Sequence, residues 1–516
     1  MKIHVAVGQI RLKRVLPVAA GLLLSFGVFT MLPSWAAGTG EAIVMQGKGS
    51  TPACSTCHGA HGEGGGDGLY PRIAGLPTAY IENQLRDFRD GRRPNPLMTP
   101  MVAGLSDADV RSVAEYLNGQ RAARASATKA TPVQVALGQS LVTIGAWERG
   151  VPPCAGCHGA ALDGVAPAIP GLSGQWPQYL AAQLLAYQQG QRPANPLGLM
   201  TRVAHGMSAE EIQGVSAYLS GLAPGAIPEA PRPDKPEAWT PAPQSSDAFV
   251  PPPDAAIPAG PYGDLVRFGQ NIFEDTPKYA GEYARNGLSC RNCHLDRGRA
   301  PTSGPMWAAY VHYPEYRKKD GLVNTMQMRI QGCFRYSQNG VVPPADSREV
   351  TALVTYFYWL ATGLPVGIKP KAVGYPKLAA AQQKPSPERG VKVYAQSCAL
   401  CHGDDGRGRA SGERMVFPPL WGPQSFNWGA GMHQVDMAAA FIKSNMPYGA
   451  GNTLSEQDAW DVAAYVNSRP RPQDPRFAES LEKTREKFHA NHEFDFYGRE
   501  VDGLLLGAPE DAELKR

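Results

Sequence analysis

Apolar and polar positions follow the period of an α-helix in four separated segments of the chain. Two of these segments begin at Ser106–Asp109 and Ser208–Glu211, where an acid follows a serine by three positions, and both end in Tyr-Leu. Two more begin at Ser347 and Ser455. The spacing of serine and acid is a helix N-terminal signal, and strand-like alternation is scarce. The predicted class is therefore all-α.

The first half of the chain contains an internal repeat. Residues 54–60, Cys-Ser-Thr-Cys-His-Gly-Ala, match residues 154–160, Cys-Ala-Gly-Cys-His-Gly-Ala. Further on, residues 80–85 and 179–184 share a tyrosine, a glutamine and a leucine at the same spacing. Two domains of one type are predicted.

Proline-rich segments separate the helical units. The segment from Leu222 to Pro261 is dense in proline and poor in apolar side chains, which predicts a semi-extended linker, either free or packed along the surface. A second linker is predicted at about 366–387. With 57 glycines and 47 prolines in 516 residues, small loop-rich units are expected rather than one large core.

Eight of the nine cysteines lie in four Cys-x-x-Cys-His runs. This run is typical of a covalent c-type haem site, because two thiols one helical turn apart can bond both vinyl groups while the histidine offers its imidazole to the iron. Four covalently bound haem c groups are predicted. The thioether cysteines would be Cys54, Cys57, Cys154, Cys157, Cys290, Cys293, Cys398 and Cys401, followed by His58, His158, His294 and His402.

The first 36 residues are typical of a secretory signal. They carry four cations, an apolar stretch over 15–32 and no acid before Glu41. Cleavage near Ala36 is expected, with an uncleaved membrane anchor as the alternative. Because covalent haem is attached outside the bacterial cytoplasm, the predicted compartment is the periplasm.

The charge of the chain does not favour nucleic-acid binding. The formal net charge is +4, and the signal segment alone supplies four positive residues. The mature protein would be close to neutral before the haem propionates are added, so no nucleic-acid partner is predicted.

The sixth ligand of each iron can be sought by its spacing from the motif histidine. Met98, Met200 and Met446 follow His58, His158 and His402 at similar steps in sequence number, namely 40, 42 and 44. Methionine is more often core filler than ligand, and Met101 competes with Met98.

In the third unit a comparable step, 39 from His294, reaches Cys333. Met326 and Met328, at steps of 32 and 34, are alternatives. Cys333 could also be a buried free thiol or form an intermolecular disulfide. As a thiolate ligand it would stabilise ferric iron and lower the haem potential.

Cations are concentrated around Cys333. Between Asp296 and Arg335 seven cations stand against three acids, which favours a pocket for a small anion over a merely solvated face. The cations are Arg297, Arg299, Arg317, Lys318, Lys319, Arg329 and Arg335.

The stretch 329–340, Arg-Ile-Gln-Gly-Cys-Phe-Arg-Tyr-Ser-Gln-Asn-Gly, resembles the segment around the haem-ligating cysteine of tetrathionate-forming thiosulfate dehydrogenases. The segments 287–296, 313–317, 444–449 and 460–467 are also similar, and the resemblance covers about 262–516. Residues 40–222 resemble a cytochrome c-four, a two-domain dihaem electron carrier. The whole chain therefore resembles a fusion of a thiosulfate dehydrogenase with its dihaem electron acceptor.

The resemblance implies roles for particular residues. The family's active-site haem has His/Cys ligation, which here implies His294/Cys333, beside the pairs His58/Met98, His158/Met200 and His402/Met446 that spacing predicts. Arg329 and Ser337 fall on substrate-binding positions; a second family arginine aligns with Lys319, with Arg317 as the nearby alternative. Lysine would keep the charge and lose the bidentate fork. Asn445 stands where some relatives have lysine, so stable ligation by Met446 is expected.

The predicted domains are a signal peptide at 1–36, cytochrome c domains at 37–125 and 126–222, a Pro-rich linker at 223–261, cytochrome c domains at 262–368 (the catalytic haem) and 369–470, and a tail at 471–516 packed on the catalytic half. In that tail His489, Tyr497, Gly498 and Gly503 are family-like.

The predicted reaction is oxidation of two thiosulfates to tetrathionate, with electrons leaving one at a time to a soluble periplasmic cytochrome c or high-potential iron-sulfur protein. Cys333 would hold one thiosulfate covalently, or would only set the potential of its haem. The alternatives are tetrathionate reduction, a pure electron-transfer protein, and a cytochrome that conjugates thiosulfate to a carrier protein. Membrane contact is expected only through the signal segment.

Overall fold

The computed structural model describes residues 39–121, 130–193, 196–233, 235–239, 249–317, 321–490 and 494–508. The predicted signal peptide at 1–36 lies outside them. Within the described part of the chain, no helix is both long and apolar enough to cross a membrane.

The N-terminal half folds as two similar helical units. The first contains α1 (Gly40–Gln46), α2 (Ser55–His58), α3 (Thr78–Arg89), α4 (Met98–Val102) and α5 (Asp107–Asn118). The second contains α6 (Pro132–Thr143), α7 (Ala155–His158), α8 (Pro177–Gln188), α9 (Leu199–His205) and α10 (Ala209–Gly221). Each unit has its own apolar core.

The C-terminal half holds two further units and a tail. The third contains α11 (Pro261–Glu274), α12 (Thr276–Tyr279), α13 (Leu295–Gly298), α14 (Met306–His312), β1 (Glu315–Arg317), β2 (Leu322–Asn324), α15 (Met326–Gly332), a π-helical turn (Cys333–Ser337) and α16 (Arg348–Leu360). The fourth contains α17 (Pro387–Ser397), α18 (Ala399–His402), β3 (Arg409–Ser411), β4 (Arg414–Phe417), α19 (Val435–Asn445) and α20 (Glu456–Asn467). The tail adds α21 (Leu481–Phe488), β5 (Glu500–Val501) and β6 (Leu504–Leu505).

Short 3-10 turns connect these elements. They lie at Gly66–Gly68, Trp147–Arg149, Pro196–Gly198, Asp254–Ala256, Cys290–Asn292 and Gly431–His433.

The helical prediction is confirmed, and the structure adds strands that the sequence did not predict. Among the described residues there are three antiparallel hairpins, β1–β2, β3–β4 and β5–β6. Each strand spans only two to four residues. Such strands are too short for a visible alternation of apolar and polar side chains, which is why the pattern missed them.

One packing device is common to all four units. The first helix crosses the last helix of the unit, in the pairs α1/α5, α6/α10, α11/α16 and α17/α20, at a glycine of the first helix. A Cβ on that glycine would lie 1.9–2.1 Å from a backbone carbonyl oxygen of the last helix. The glycines are Gly40, Gly138, Gly269 and Gly390. Only glycine allows backbones to approach this closely.

The repeated residues of the N-terminal half contribute to the contact between its two units. Each of two buried arginines donates to the glutamines of both units and to the tyrosine of the other unit, with N–O distances of 2.7–3.2 Å. The six residues are Tyr80, Gln84 and Arg93 from the first unit, and Tyr179, Gln183 and Arg192 from the second. The repeat thus produces a nearly symmetric polar interface.

The described part of the 223–261 segment packs on its neighbours. Glu229 O accepts from Gln139 Nε2 at 2.9 Å, and the ring of Phe249 lies 5.1 Å from that of Trp307. Ile257 is 3% exposed in the core of the third unit. The sequence left open whether this segment is free or packed along the surface, and its described residues are packed.

The glycine crossings generate a stability prediction. Gly138→Ala places a Cβ against the carbonyl oxygen of Gly214, at a separation of 2.1 Å. We expect it to lower the unfolding free energy of the holoprotein by about 1–3 kcal/mol, the usual cost of overpacking, as measured by denaturant titration.

Gly119→Ala is the matched control. Gly119 ends α5 with φ −71°, and the nearest atom to an added Cβ lies at 3.5 Å. This variant should stay within about 0.5 kcal/mol of the parent. Equal losses in both variants would contradict the role of the crossing.

Candidate functional site

The four motif histidines share one local arrangement. Each Nδ1 lies at hydrogen-bond distance from a backbone carbonyl oxygen: His58 to Pro71 at 2.9 Å, His158 to Pro170 and His402 to Pro418 at 2.8 Å, and His294 to Gly304 at 2.7 Å. A carbonyl oxygen only accepts, so Nδ1 carries the proton and Nε2 carries the lone pair.

This arrangement fits an axial haem ligand. A metal-binding histidine usually donates its second ring N–H to a carbonyl or carboxylate, which sets the tautomer. Burial lowers the pKa of all four imidazoles, in the case of His294 to about 4. The residues present therefore suit haem c, which would bind through the motif cysteines and the Nε2 atoms.

The third motif differs from the other three in its backbone. His58, His158 and His402 end one-turn α-helices, whereas the third motif begins on the 3-10 turn Cys290–Asn292. After it, Asp296 and Arg297 adopt φ values of 50° and 52°. The chain therefore leaves His294 along a path that the other units do not take.

Burial distinguishes Met98 from its competitor Met101, and in the third unit it distinguishes Met326 from Met328. Met98 packs with Cys54 against the core of the first unit, while Met101 is 39% exposed. In the third unit Met326 belongs to the apolar core and Met328 is 37% exposed. Met200 lies in the first turn of α9, and Met446 follows α19 directly.

Cys333 is the first residue of the π-helical turn that follows α15. Thr325 caps α15, accepting from Met328 N at 3.3 Å, and the turn closes with Gln338 N donating to Cys333 O at 3.1 Å. A π-turn within a helix is frequent at functional sites because it redirects one side chain.

The turn brings Cys333 to the third motif. Burial raises the pKa of Cys290 and of Cys293 to about 12, and the negative charge of Cys333 adds to both shifts. Gln338, which follows the turn, also reaches Cys290 Sγ, at 3.9 Å.

Arg329 lies directly against Cys333. Its Nη1 donates to Cys333 Sγ at 3.2 Å, and the charge of that sulfur raises the pKa of Arg329. The hydroxyl of Tyr313 accepts from Arg317 and also interacts with Arg329. Cys333, Arg329, Tyr313 and Arg317 thus form one connected polar group.

The other predicted site residues take different positions. Ser337 ends the π-turn, and its carbonyl accepts from Asn286 Nδ2 at 3.0 Å. Lys319 lies outside the described residues.

Two of the cations that lie near Cys333 in sequence form buried ion pairs with carboxylates. Arg297 pairs with Glu274 and with Asp254, and Arg299 pairs with Asp254 as well. These buried pairs fasten the 223–261 segment to the third unit. The sequence predicted an anion pocket with seven cations. Two of these, Arg297 and Arg299, are neutralised by carboxylates distant in sequence, so fewer cations are available to bind an anion.

Two tyrosines were missed by sequence reasoning. Tyr313 stands in the sequence only as part of a family-like segment, and Tyr375 lies in the predicted second linker. Burial raises the pKa of Tyr375 well above its usual value, and Cys293 and Cys333 add to the shift. A tyrosine in a Pro- and Gly-rich segment carries no sequence signal of its own.

Asn445 joins the third and fourth units. It accepts from Thr302 Oγ1 at 2.9 Å and donates to Thr302 O at 3.0 Å. Thr302 directly precedes the carbonyls of Ser303 and Gly304 that hold His294. The residue before Met446 is thereby tied to the loop that orients His294.

Family models match all four units. A model described as the SoxA/TsdA cytochrome c domain matches residues 277–366. The model for subunit III of cbb3-type cytochrome c oxidase matches 385–466, and the cytochrome c model matches 40–120 and 151–223.

Known proteins resemble the two halves and their combination. The thiosulfate dehydrogenase of Stutzerimonas stutzeri is 54% identical over 260 residues, 50% of this chain and 85% of that protein. The thiosulfate dehydrogenase electron acceptor of the same organism is 42% identical over 189 residues, 36% of this chain and 87% of that protein. The solved structure of thiosulfate dehydrogenase (TsdBA) from Marichromatium purpuratum is 41% identical with a TM-score of 0.83, covering 91% of this chain and 98% of that one.

The burial of the methionines generates a ligation prediction. Met98→Leu should open one axial position, so the reduced holoprotein should bind about one more carbon monoxide per chain than the parent. Met101→Leu is the matched control and should bind no more than the parent. An optical titration distinguishes the two, and the opposite result would assign the ligand to Met101.

Proposed function

The chain belongs to the thiosulfate dehydrogenase family, and on that premise we propose that it oxidises two thiosulfate ions to tetrathionate beside Cys333. The predicted fusion of a dihaem electron acceptor with a thiosulfate dehydrogenase is confirmed, since one solved relative spans both halves. The cytochrome c matches and the motif cysteines establish covalently bound haem c. That the groups number four is part of the proposal.

One observation carries the assignment of the site. Arg329 Nη1 lies 3.2 Å from Cys333 Sγ, and Tyr313 links this pair to Arg317. A sulfur atom against one guanidinium group, with a second guanidinium linked to the first through Tyr313, suits a dianion that carries its own terminal sulfur.

Charge neutralisation is the first task of the site. Two thiosulfate dianions repel each other as they approach, and fixed cations lower that cost without reorganisation. Arg329 would bind the sulfonate end of the first thiosulfate, with Arg317 and Ser337 at the second. Lys319 is proposed as an additional substrate-binding cation because of its aligned position in the family.

Cys333 would leave the iron that it is proposed to ligate and take part covalently. Its thiolate and the terminal sulfur of one thiosulfate form a sulfur–sulfur bond as two electrons leave, giving a Cys–S–S–SO3⁻ adduct. The second thiosulfate then attacks the outer sulfur of that bond, tetrathionate departs, and the thiolate is restored. Bound haem would accept the electrons one at a time.

We propose the ligand pairs His58/Met98, His158/Met200, His294/Cys333 and His402/Met446. The Thr302–Asn445 bonds described above support a fixed loop before Met446. That contact favours stable methionine ligation in the fourth unit.

The contacts between the halves suggest the order of electron transfer. Tyr448, which follows Met446 closely, packs edge-on against Trp147 at 5.5 Å and lies beside Gly156 of the second motif. Burial raises the pKa of Cys157, and Cys401 of the fourth motif adds to the shift. Electrons would therefore pass from the third unit to the fourth, then the second, then the first.

Electrons would leave the protein from the first unit. Cys57 is exposed, whereas the corresponding Cys157, Cys293 and Cys401 are half-buried. A soluble periplasmic cytochrome c or high-potential iron-sulfur protein would accept the electrons there. The proposal keeps the predicted domain boundaries, with the signal at 1–36 and catalysis in 262–368.

The decisive experiment supplies purified holoprotein with thiosulfate and ferricyanide and measures tetrathionate. We expect wild type to form tetrathionate and Cys333→Ala to lose at least about a hundredfold in rate, as for removal of a nucleophile. Failure of wild type to form tetrathionate would overturn the proposal. Full activity in Cys333→Ala would overturn the covalent role.

Arg329→Gln tests the anion site separately. Loss of a charge-assisted hydrogen bond of about 1.5–3 kcal/mol should lower kcat/KM for thiosulfate about 10- to 100-fold. Arg111→Gln, an exposed change in α5, should leave kcat/KM unchanged. Equal effects of both changes would contradict specific binding by Arg329.

A further inference from the structure

A second cluster of potential ligands lies where the C-terminal tail meets the fourth unit. His433 is 2% exposed, and His489, Asp474 and Asp495 are fully buried. None of them belongs to a haem motif. Before α19, the 3-10 turn Gly431–His433 supplies the first histidine, and His489 directly follows α21.

All four ring nitrogens of the two histidines face oxygen atoms that can accept a hydrogen bond. His433 Nδ1 faces the carbonyl oxygen of Ala430, which can only accept, so the proton of the neutral ring is on Nδ1. His489 Nε2 lies 3.1 Å from Asp474 Oδ2, and its Nδ1 also faces a carboxylate oxygen, that of Asp495, at 2.7 Å.

Two of these ring nitrogens converge on one carboxylate oxygen. His433 Nε2 lies 3.1 Å, and His489 Nδ1 2.7 Å, from Asp495 Oδ2. Two neutral rings carry only two protons for the four contacts, so in any tautomer two lone pairs would face acceptor oxygens. All three atoms lie within 4.8 Å of one another. Such an arrangement requires positive charge at its centre.

Protons alone would supply that charge at an electrostatic cost. Both rings would have to be imidazolium ions, with centroids 4.9 Å apart and almost no exposure to solvent. Arg476, paired with Asp474, and the buried Arg471 already bring positive charge to this region. One divalent cation supplies the same charge without two adjacent charged rings.

The outer contacts also match those of a metal site. Each histidine donates its other N–H to a carbonyl or a carboxylate, and Asp495 Oδ1 accepts from Tyr497 N at 2.9 Å. Metal-binding histidines and carboxylates are oriented in this way.

We propose that His433 Nε2, His489 Nδ1 and Asp495 Oδ2 bind a divalent transition metal ion. Two imidazoles and one carboxylate suit zinc in particular. The site is buried, so its role is structural and it takes no part in the thiosulfate reaction.

The position of the site gives the metal a defined effect. Asn427 Nδ2 donates to Arg335 O at 2.9 Å, and Asn427 N donates to Tyr336 O at 3.2 Å, so the segment leading to His433 contacts the Cys333 turn. From the tail, Pro475 O accepts from Arg335 Nη2 at 3.2 Å. The metal therefore links the segment that leads to His433 with the C-terminal tail, and both of these contact the π-helical turn that contains Cys333.

Metal analysis of intact holoprotein tests the proposal. Protein purified without chelators is equilibrated with micromolar zinc sulfate, passed through a desalting column, and assayed for zinc by mass spectrometry. We expect about one zinc per chain in wild type and less than about a tenth of that in Asp495→Asn and His489→Gln, because each loses one of three ligands. His205→Gln, an exposed histidine of α9, should retain the wild-type content.

Two outcomes would overturn the proposal. The first is a wild-type protein that holds neither zinc nor another divalent metal after this treatment. Zinc retained by Asp495→Asn and His489→Gln would place it elsewhere. If those variants fail to fold, wild type decides: removal of its zinc by dipicolinate should lower the unfolding temperature, and restored zinc should recover it.

Discussion

The hydrogen bond from a motif histidine Nδ1 to a backbone carbonyl is the constraint on which each unit depends. It sets the tautomer that presents Nε2 to iron, and it requires a downstream loop of fixed path that places the carbonyl. The glycine crossing brings the first and last helices of each unit into close backbone contact. Small units with many loops can form in this way because a covalent group replaces part of their apolar interior.

The third unit keeps this constraint and changes what surrounds it. Its motif starts on a 3-10 turn, its histidine loop ends in Ser303 and Gly304 rather than proline, and a π-turn presents Cys333. Departures from a repeated plan tend to lie where function requires them. Here they coincide with Arg329, Tyr313 and Arg317, which join into one polar group beside the sulfur.

Contacts between units use residues that the repeat or the tail supplies. The Arg93 and Arg192 networks are related by the internal repeat, so the same interaction occurs twice across one interface. In the C-terminal half the tail forms a comparable buried polar contact. There Asp474 and Asp495 hydrogen-bond with His433 and His489. Buried polar groups of this kind favour one arrangement of neighbours, because an unpaired member would be costly.

The amino-acid sequence by itself determined the helical class, the internal repeat, the covalent haem motifs and the family resemblance. These depend on local spacing, such as two thiols and an imidazole within one short motif, or apolar side chains on one helix face. Only the tertiary structure decided which cations remain beside Cys333. Arg297 and Arg299 are neutralised by Asp254 and Glu274, which precede the third haem motif in the chain, while Arg329 is left against the sulfur. The positions of Tyr375 and of the histidine cluster likewise follow only from the tertiary structure, because their interactions are with residues distant in sequence.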